Sequence, residues 1–138
     1  MIKGYTTGVF DLFHIGHLNV LRRAKEMCDY LIVGVSTDSL VQDYKGKIPI
    51  IPYEERKAIV QAIRYVDEVV PQTSRDKFEA LMRLKFDIMF LGDDWKGSPL
   101  FEEAERKFET VGARIVYFPY TQGTSSTILT EVLRKVLE

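Results

Sequence analysis

His14 and His17 are the chain's only histidines, and they stand three apart around Gly16 in TTGVFDLFHIGH, residues 6–17. That spacing places both imidazoles on one face of a first helical turn. A helix start offers unpaired backbone N–H groups and a partial positive charge. Two imidazole donors added there suit a phosphate whose charge grows during reaction. Gly16 leaves room for a phosphate or a base to approach the backbone. The plainer alternative is a pair of packed histidines at a helix start. A metal site is not expected, because the pair has no adjacent Cys or Glu of the kind a zinc site uses.

Three other clusters could do chemistry. Lys45 and Lys47 flank Gly46, where long ammonium side chains can reach phosphates as point charges. From Tyr44 to Arg64 there are five basic residues against two acidic, a local excess of +3 in a chain whose net charge is −1. GDDWKG, residues 92–97, carries the adjacent carboxylates of Asp93 and Asp94. Successive side chains in an extended loop point apart, so the two need not share an ion. In TQGTSST, residues 121–127, Gly123 is followed by hydroxyls at Thr124, Ser125, Ser126 and Thr127. An N-cap needs one hydroxyl; four make a second phosphate nest.

The elements that must position these groups alternate. Strands are expected at Ile2–Thr6, Tyr30–Val35, Val66–Val70 (stopped by Pro71), Ile88–Leu91 and Ile115–Phe118. Helices are expected at His14–Met27, Tyr53–Arg64, Asp76–Leu84, Leu100–Thr110 and from Ser125 or Ser126 to Leu137, and Ser36–Leu40 offers N-cap residues before a further short helix. Tyr44–Pro52, with Gly46, Pro49 and Pro52, reads as a loop. Tyr30–Val35 is continuously apolar, as buried parallel strands are. The pattern predicts one α/β domain over residues 1–138: a Rossmann-like, doubly wound, five-stranded parallel sheet with helices on both faces. Such sheets bind ligands at the carboxyl ends of their strands, which is where all four clusters fall.

Composition removes other classes. The chain has 138 residues, 46% hydrophobic and 28% charged, as a globular domain has. A net charge of −1 provides no global field for nucleic acid or an anionic membrane, so neither is expected as a partner. One cysteine, Cys28, excludes an internal disulfide framework. The longest apolar run is too short to span a bilayer. The N-terminus shows no signal-peptide pattern. A cytoplasmic setting is therefore the expectation.

TTGVFDLFHIGH, RYVDEVV (64–70), GDDWKG and TQGTSST, in this order and spacing, resemble the HxGH nucleotidyltransferases. The similarity covers nearly the whole chain and is greatest to the small bacterial glycerol-3-phosphate cytidylyltransferases. The choline- and ethanolamine-phosphate enzymes share the same signatures. The resemblance implies transfer of CMP from CTP to an alcohol phosphate with release of pyrophosphate. The product would be CDP-glycerol, a precursor of teichoic acid or another cell-surface polymer. His14, His17, Lys47 and Arg64 would be catalytic. Thr7, Gly8, Val9, Phe10, Gly16, Asp94, Tyr120, Thr121, Gly123, Thr124, Ser125, Ser126 and Thr127 would contact the nucleotide, with Trp95 closing a wall or packing in a core or interface. Asp11, Lys45 and Lys77 would serve the acceptor. Mg²⁺ would be bound through the phosphates, with no protein metal site, and the RYVDEVV segment implies a homodimer.

Two departures matter. Tyr120 stands where the family has an arginine on the triphosphate, so either a nearby cation, Arg56 or Lys47, compensates or the base and phosphate are held differently. Lys77 aligns only across a gap. Arg64 also reads as a helix-end charge or an ion-pair partner of Asp67 or Glu68. Other acceptors, ATP as donor, and a catalytically weak nucleotide-binding module remain as alternatives.

Overall fold

The computed structural model describes residues 1–92, 96–119 and 126–137, with side chains in the last stretch from 128. The described elements are β1 (Lys3–Gly8), α1 (Ile15–Glu26), β2 (Tyr30–Ser36), α2 (Asp38–Lys45), α3 (Tyr53–Gln61), β3 (Glu68–Gln72), α4 (Lys77–Leu84), β4 (Ile88–Gly92), α5 (Pro99–Glu109), β5 (Arg114–Phe118) and α6 (Ser126–Leu137). All strand pairs are parallel, in the order β3-β2-β1-β4-β5. The chain starts at the centre, steps outward to β3, then returns to β4 on the other side of β1. The switch point between β1 and β4 opens a crevice at the strands' carboxyl ends.

Alternation along the strands explains the two layers of helix. Leu31, Val33 and Val35 of β2 face one way, with Ile88 and Phe90 of β4, and bury Leu21 and Ala24 of α1 and Val60 of α3. Tyr5, Ile32 and Met89 face the other way and bury Ala80 and Leu81 of α4 and Phe108 of α5. A period of two thus produces helices on both faces. Gly34 sits in β2 because a Cβ there would collide with the Tyr5 hydroxyl and lie 3.1 Å from Thr7 Oγ1.

Two elements differ from the sequence expectation. α2, capped within Ser36–Leu40 as expected, runs through Tyr44 and Lys45, the first two residues of the expected loop. Thr37 Oγ1 caps it by accepting from Leu40 N at 3.3 Å, Leu40 and Val41 are buried, and Gly46 ends it at φ 71°. Lys45 therefore stands on a helix end and not in a loop. β3 runs through Pro71 to Gln72. It is an edge strand paired only with β2, and Pro71 is exposed opposite Val35. An edge strand tolerates a residue without an N–H donor.

Candidate active site

The β1–α1 connection turns sharply. Phe10 and Leu12 adopt left-handed backbone conformations, φ 56° and 51°, on either side of Asp11. Such conformations cost about 1–2 kcal/mol each and persist only where packing enforces them. Phe10 is buried in the core cluster beside Leu21 and Val35. Asp11 is also buried, and its two carboxylate oxygens accept from the backbone N–H groups of Ile50 (2.8 Å) and Ile51 (2.9 Å). Asp11 thereby ties the first loop to the end of the lysine segment. Its expected place at the acceptor is one it can hold only through that segment.

His14 is the N-cap of α1 and His17 its third residue, and the two cap reciprocally. His14 Nδ1 accepts from Gly16 N at 3.0 Å, and His17 Nδ1 accepts from His14 N at 3.2 Å. This explains the spacing: at N-cap and N3, each ring satisfies a backbone donor that the helix leaves unpaired. With Nδ1 accepting in both rings, a neutral imidazole carries its proton on Nε2. The ring centroids lie 4.0 Å apart, and Phe10 and Phe13 each stand 5.3 Å from His17. Burial, then the neighbouring His14, push His17 down to about 4 against the opposing pull of Asp11; burial also lowers His14. At neutral pH both rings are uncharged hydrogen-bond donors.

His17 faces a cleft of about 250 Å³ lined also by Val9, Phe10, Asp11, Lys45 and Lys47, and by Thr130 and Arg134 of α6. A second cavity, about 520 Å³, lies over the strand ends and is lined by Thr7, Gly8, Lys45 and Lys77 among others. Lys45 lines both. Partial desolvation, then the charges of Lys47 and Arg75, lower the Lys45 ammonium, with Asp11 opposing. Thr7 Oγ1 donates to the Gly34 carbonyl at 3.0 Å. Asp94, Tyr120, Thr121, Gly123, Thr124 and Ser125, with Trp95, lie outside the described residues, as do the side chains of Ser126 and Thr127.

Arg56 does not fill the role expected of it. It is 1% exposed, and four of its five N–H donors are engaged by the protein. Nε donates to the Ile51 carbonyl, Nη1 to the Val9 and Ser36 carbonyls, and Nη2 to Asp38 at 2.6 Å. No donor is directed to a triphosphate, so Arg56 holds the walls of the cleft together. Arg64 is likewise not brought to the cleft within one chain. It precedes β3, at the amino end of that strand, and its guanidinium is exposed, donating to the Tyr65 hydroxyl at 3.0 Å. The ligand cavities open at the opposite, carboxyl ends. Its expected partner Asp67 pairs with Lys25 instead.

Sequence reasoning missed Arg75, Arg134 and the Asp38–Arg56 pair. The signal for Arg75 was its place just after β3, in a loop class that lines ligand sites. Arg134 has no such signal, because its distance from α6's start says nothing of where the helix lies.

A cytidylyltransferase-like family model matches residues 5–132. The chain belongs to that family. The cytidylyltransferase-like chain is 40% identical over 132 residues to the glycerol-3-phosphate cytidylyltransferase of Bacillus subtilis (strain 168), covering 95% of this chain and 96% of that one. It is 35% identical over 140 residues to the FAD synthase of Thermococcus sibiricus, covering 99% and 93%. Among solved structures, a lipopolysaccharide core biosynthesis protein from Thermoplasma volcanium GSS1 superposes with a TM-score of 0.73 at 31% identity, covering 90% and 99%.

Proposed function

We propose that this cytidylyltransferase-like chain transfers CMP from CTP to glycerol-3-phosphate, giving CDP-glycerol and pyrophosphate. The observation that carries this reading is the reciprocal His14–His17 cap facing a lysine-lined cleft, in a chain 40% identical to a named glycerol-3-phosphate cytidylyltransferase. An acceptor phosphate oxygen attacks the α-phosphorus, a new P–O bond forms, and the bond to the bridging β-oxygen breaks. The acceptor phosphate is already ionised near neutral pH, so positioning and charge stabilisation suffice without a strong base. Neutral His14 and His17 donate from Nε2 to oxygens on which charge grows. Lys47 binds the triphosphate as a point charge, and Lys45, lining both cavities, stands between nucleotide and acceptor.

Mg²⁺ enters this reading on the nucleotide. Among the described residues no group of three or more His, Cys, Asp or Glu could hold a metal, and both oxygens of Asp11 accept backbone N–H groups. The ion would be carried by phosphate oxygens, where it would offset triphosphate charge. A homodimer and a cytoplasmic setting belong to the same proposal. No helix of the described residues is long and apolar enough to cross a membrane. Gel filtration at micromolar concentration tests the dimer, which a monomeric elution volume refutes.

A second reading rests on the FAD synthase relative at 35% identity: the same cleft transferring AMP from ATP to a flavin phosphate. One assay separates the two. Purified protein is given each nucleoside triphosphate against a panel of alcohol phosphates and flavin mononucleotide, and pyrophosphate release is measured. Release only with CTP and glycerol-3-phosphate is expected. Release only with ATP and the flavin overturns the first reading in favour of the second. Silence with every pair leaves a nucleotide-binding module.

A further inference from the structure

The 520 Å³ cavity holds a cation that the sequence reading did not assign. Arg75, in the β3–α4 connection, lines it together with Lys45 from the end of α2 and Lys77 from the start of α4. No carboxylate of the described residues lines it. The three cations also have no salt bridge among the described residues. Asp76, the nearest acid in sequence, caps α4 by accepting from Phe78 N and Glu79 N, both at 3.1 Å. Three side chains from three elements thus converge with no ion-paired carboxylate among the described residues, Asp11 and Asp76 acting on Lys45 and Lys77 only at longer range.

Each cation is held against an aromatic ring. The Arg75 guanidinium lies 4.5 Å from the centroid of Tyr44, a half-buried ring that Lys45 approaches at 5.7 Å. Lys77 Nζ lies 4.8 Å from the centroid of Phe101. A ring face attracts a cation and fixes its place without consuming its hydrogen-bond donors. Arg75 lowers the ammonium values of both lysines, after burial and Lys47 for Lys45 and after burial for Lys77, so the guanidinium repels each of them. Like charges held together in a cavity are relieved by a dianion. A guanidinium adds a planar fork that can grip two phosphate oxygens at once.

Building on the transferase reading, we propose that Arg75, braced on Tyr44, is a specificity-determining residue that binds the acceptor's terminal phosphate alongside Lys77. The acceptor class is a phosphomonoester dianion. Arg75 does not line the cleft that His17 and Lys47 share, so it stands apart from the two groups assigned to the triphosphate.

The test compares wild type with Arg75→Ala, Arg75→Gln and Arg75→Lys. Arg75 is exposed, so the variants fold as wild type does, which melting curves verify. Loss of a charged hydrogen-bond donor is expected to raise KM for glycerol-3-phosphate about tenfold or more in Ala and Gln. Lys restores part of it, and KM for CTP stays within about twofold. Calorimetry of glycerol-3-phosphate without nucleotide, with glycerol as the uncharged control, should show the same loss of affinity. An unchanged acceptor affinity, or an equal loss for CTP, overturns the proposal. If wild type binds glycerol-3-phosphate and Arg75→Ala does not, while neither releases pyrophosphate from CTP, the transferase reading fails and the phosphate site stands. If wild type binds no phosphomonoester, the site itself is refuted.

Discussion

The two histidines explain one another before any substrate is considered. Each ring takes a backbone N–H through Nδ1, so both are locked as neutral Nε2–H donors. His17→Ala removes a donor expected to act on growing charge. It should lower kcat by more than about 100-fold while KM for CTP changes little. Steady-state kinetics with CTP and glycerol-3-phosphate decide this, and a near-normal kcat removes transition-state stabilisation from His17. The same burial makes a pH prediction. His17 in the folded chain titrates at about 4, against about 6.5 when unfolded. Between those values the unfolded chain binds more protons, so stability is whole above about pH 6.5 and is lost as pH falls toward 4. The His17 imidazole should show an NMR midpoint near 4, and His17→Gln should flatten the stability profile across that window. A midpoint near 6.5 contradicts the buried, neutral ring.

The elements meet at Arg56. One guanidinium, 1% exposed, joins the β1–α1 loop at Val9, the end of β2 at Ser36, the start of α2 at Asp38 and the lysine segment at Ile51. Arg56→Leu leaves three carbonyls without this donor and Asp38 without its cation. The expected cost is about 3–5 kcal/mol, because three carbonyls lose a fully buried donor while part-exposed Asp38 loses its cation. Equilibrium urea unfolding measures it, and a loss below about 1 kcal/mol contradicts the clamp. In the sequence this residue read as part of a basic face or as a substitute phosphate ligand. Local pattern shows charge but not burial, and burial here depends on four segments that only the folded sheet brings together. The element pattern itself was legible, because apolar alternation and crossover spacing are local properties. Its errors were local too: α2 extends through Tyr44 and Lys45 to a left-handed Gly46, and β3 carries Pro71 because it is an edge. HIGH was legible as a helix start with both rings on one turn, because its spacing is the capping geometry. Within one chain Arg64 precedes β3 and so lies at that strand's amino end, away from both cavities; a role in the site would have to come across the proposed dimer.

At the scale of the whole molecule, a net charge of −1 conceals a polarised distribution. Lys45, Lys47, Arg75, Lys77 and Arg134 line the two cavities, and Asp11, the one acid among the described lining residues, is engaged by Ile50 and Ile51. Long-range attraction of a nucleoside triphosphate is therefore set by this end of the sheet and not by the net charge. Two consequences can be separated by one measurement. A ligand that binds only the folded chain adds about 2.7 kcal/mol at 100 times its Kd, which raises Tm by several degrees for a domain of this size. Added salt screens exposed charges, the Debye length shrinking from about 10 Å at 0.1 M to about 3 Å at 1 M. CTP at fixed concentration should therefore raise Tm strongly in low salt and much less in high salt, whereas the ligand-free Tm should shift less, since folding rests on the apolar layers on either side of the sheet. Thermal melts at two potassium chloride concentrations, with and without CTP, test this. An equal CTP-induced shift at both would mean that shape and hydrogen bonding, not the collected cations, hold the triphosphate.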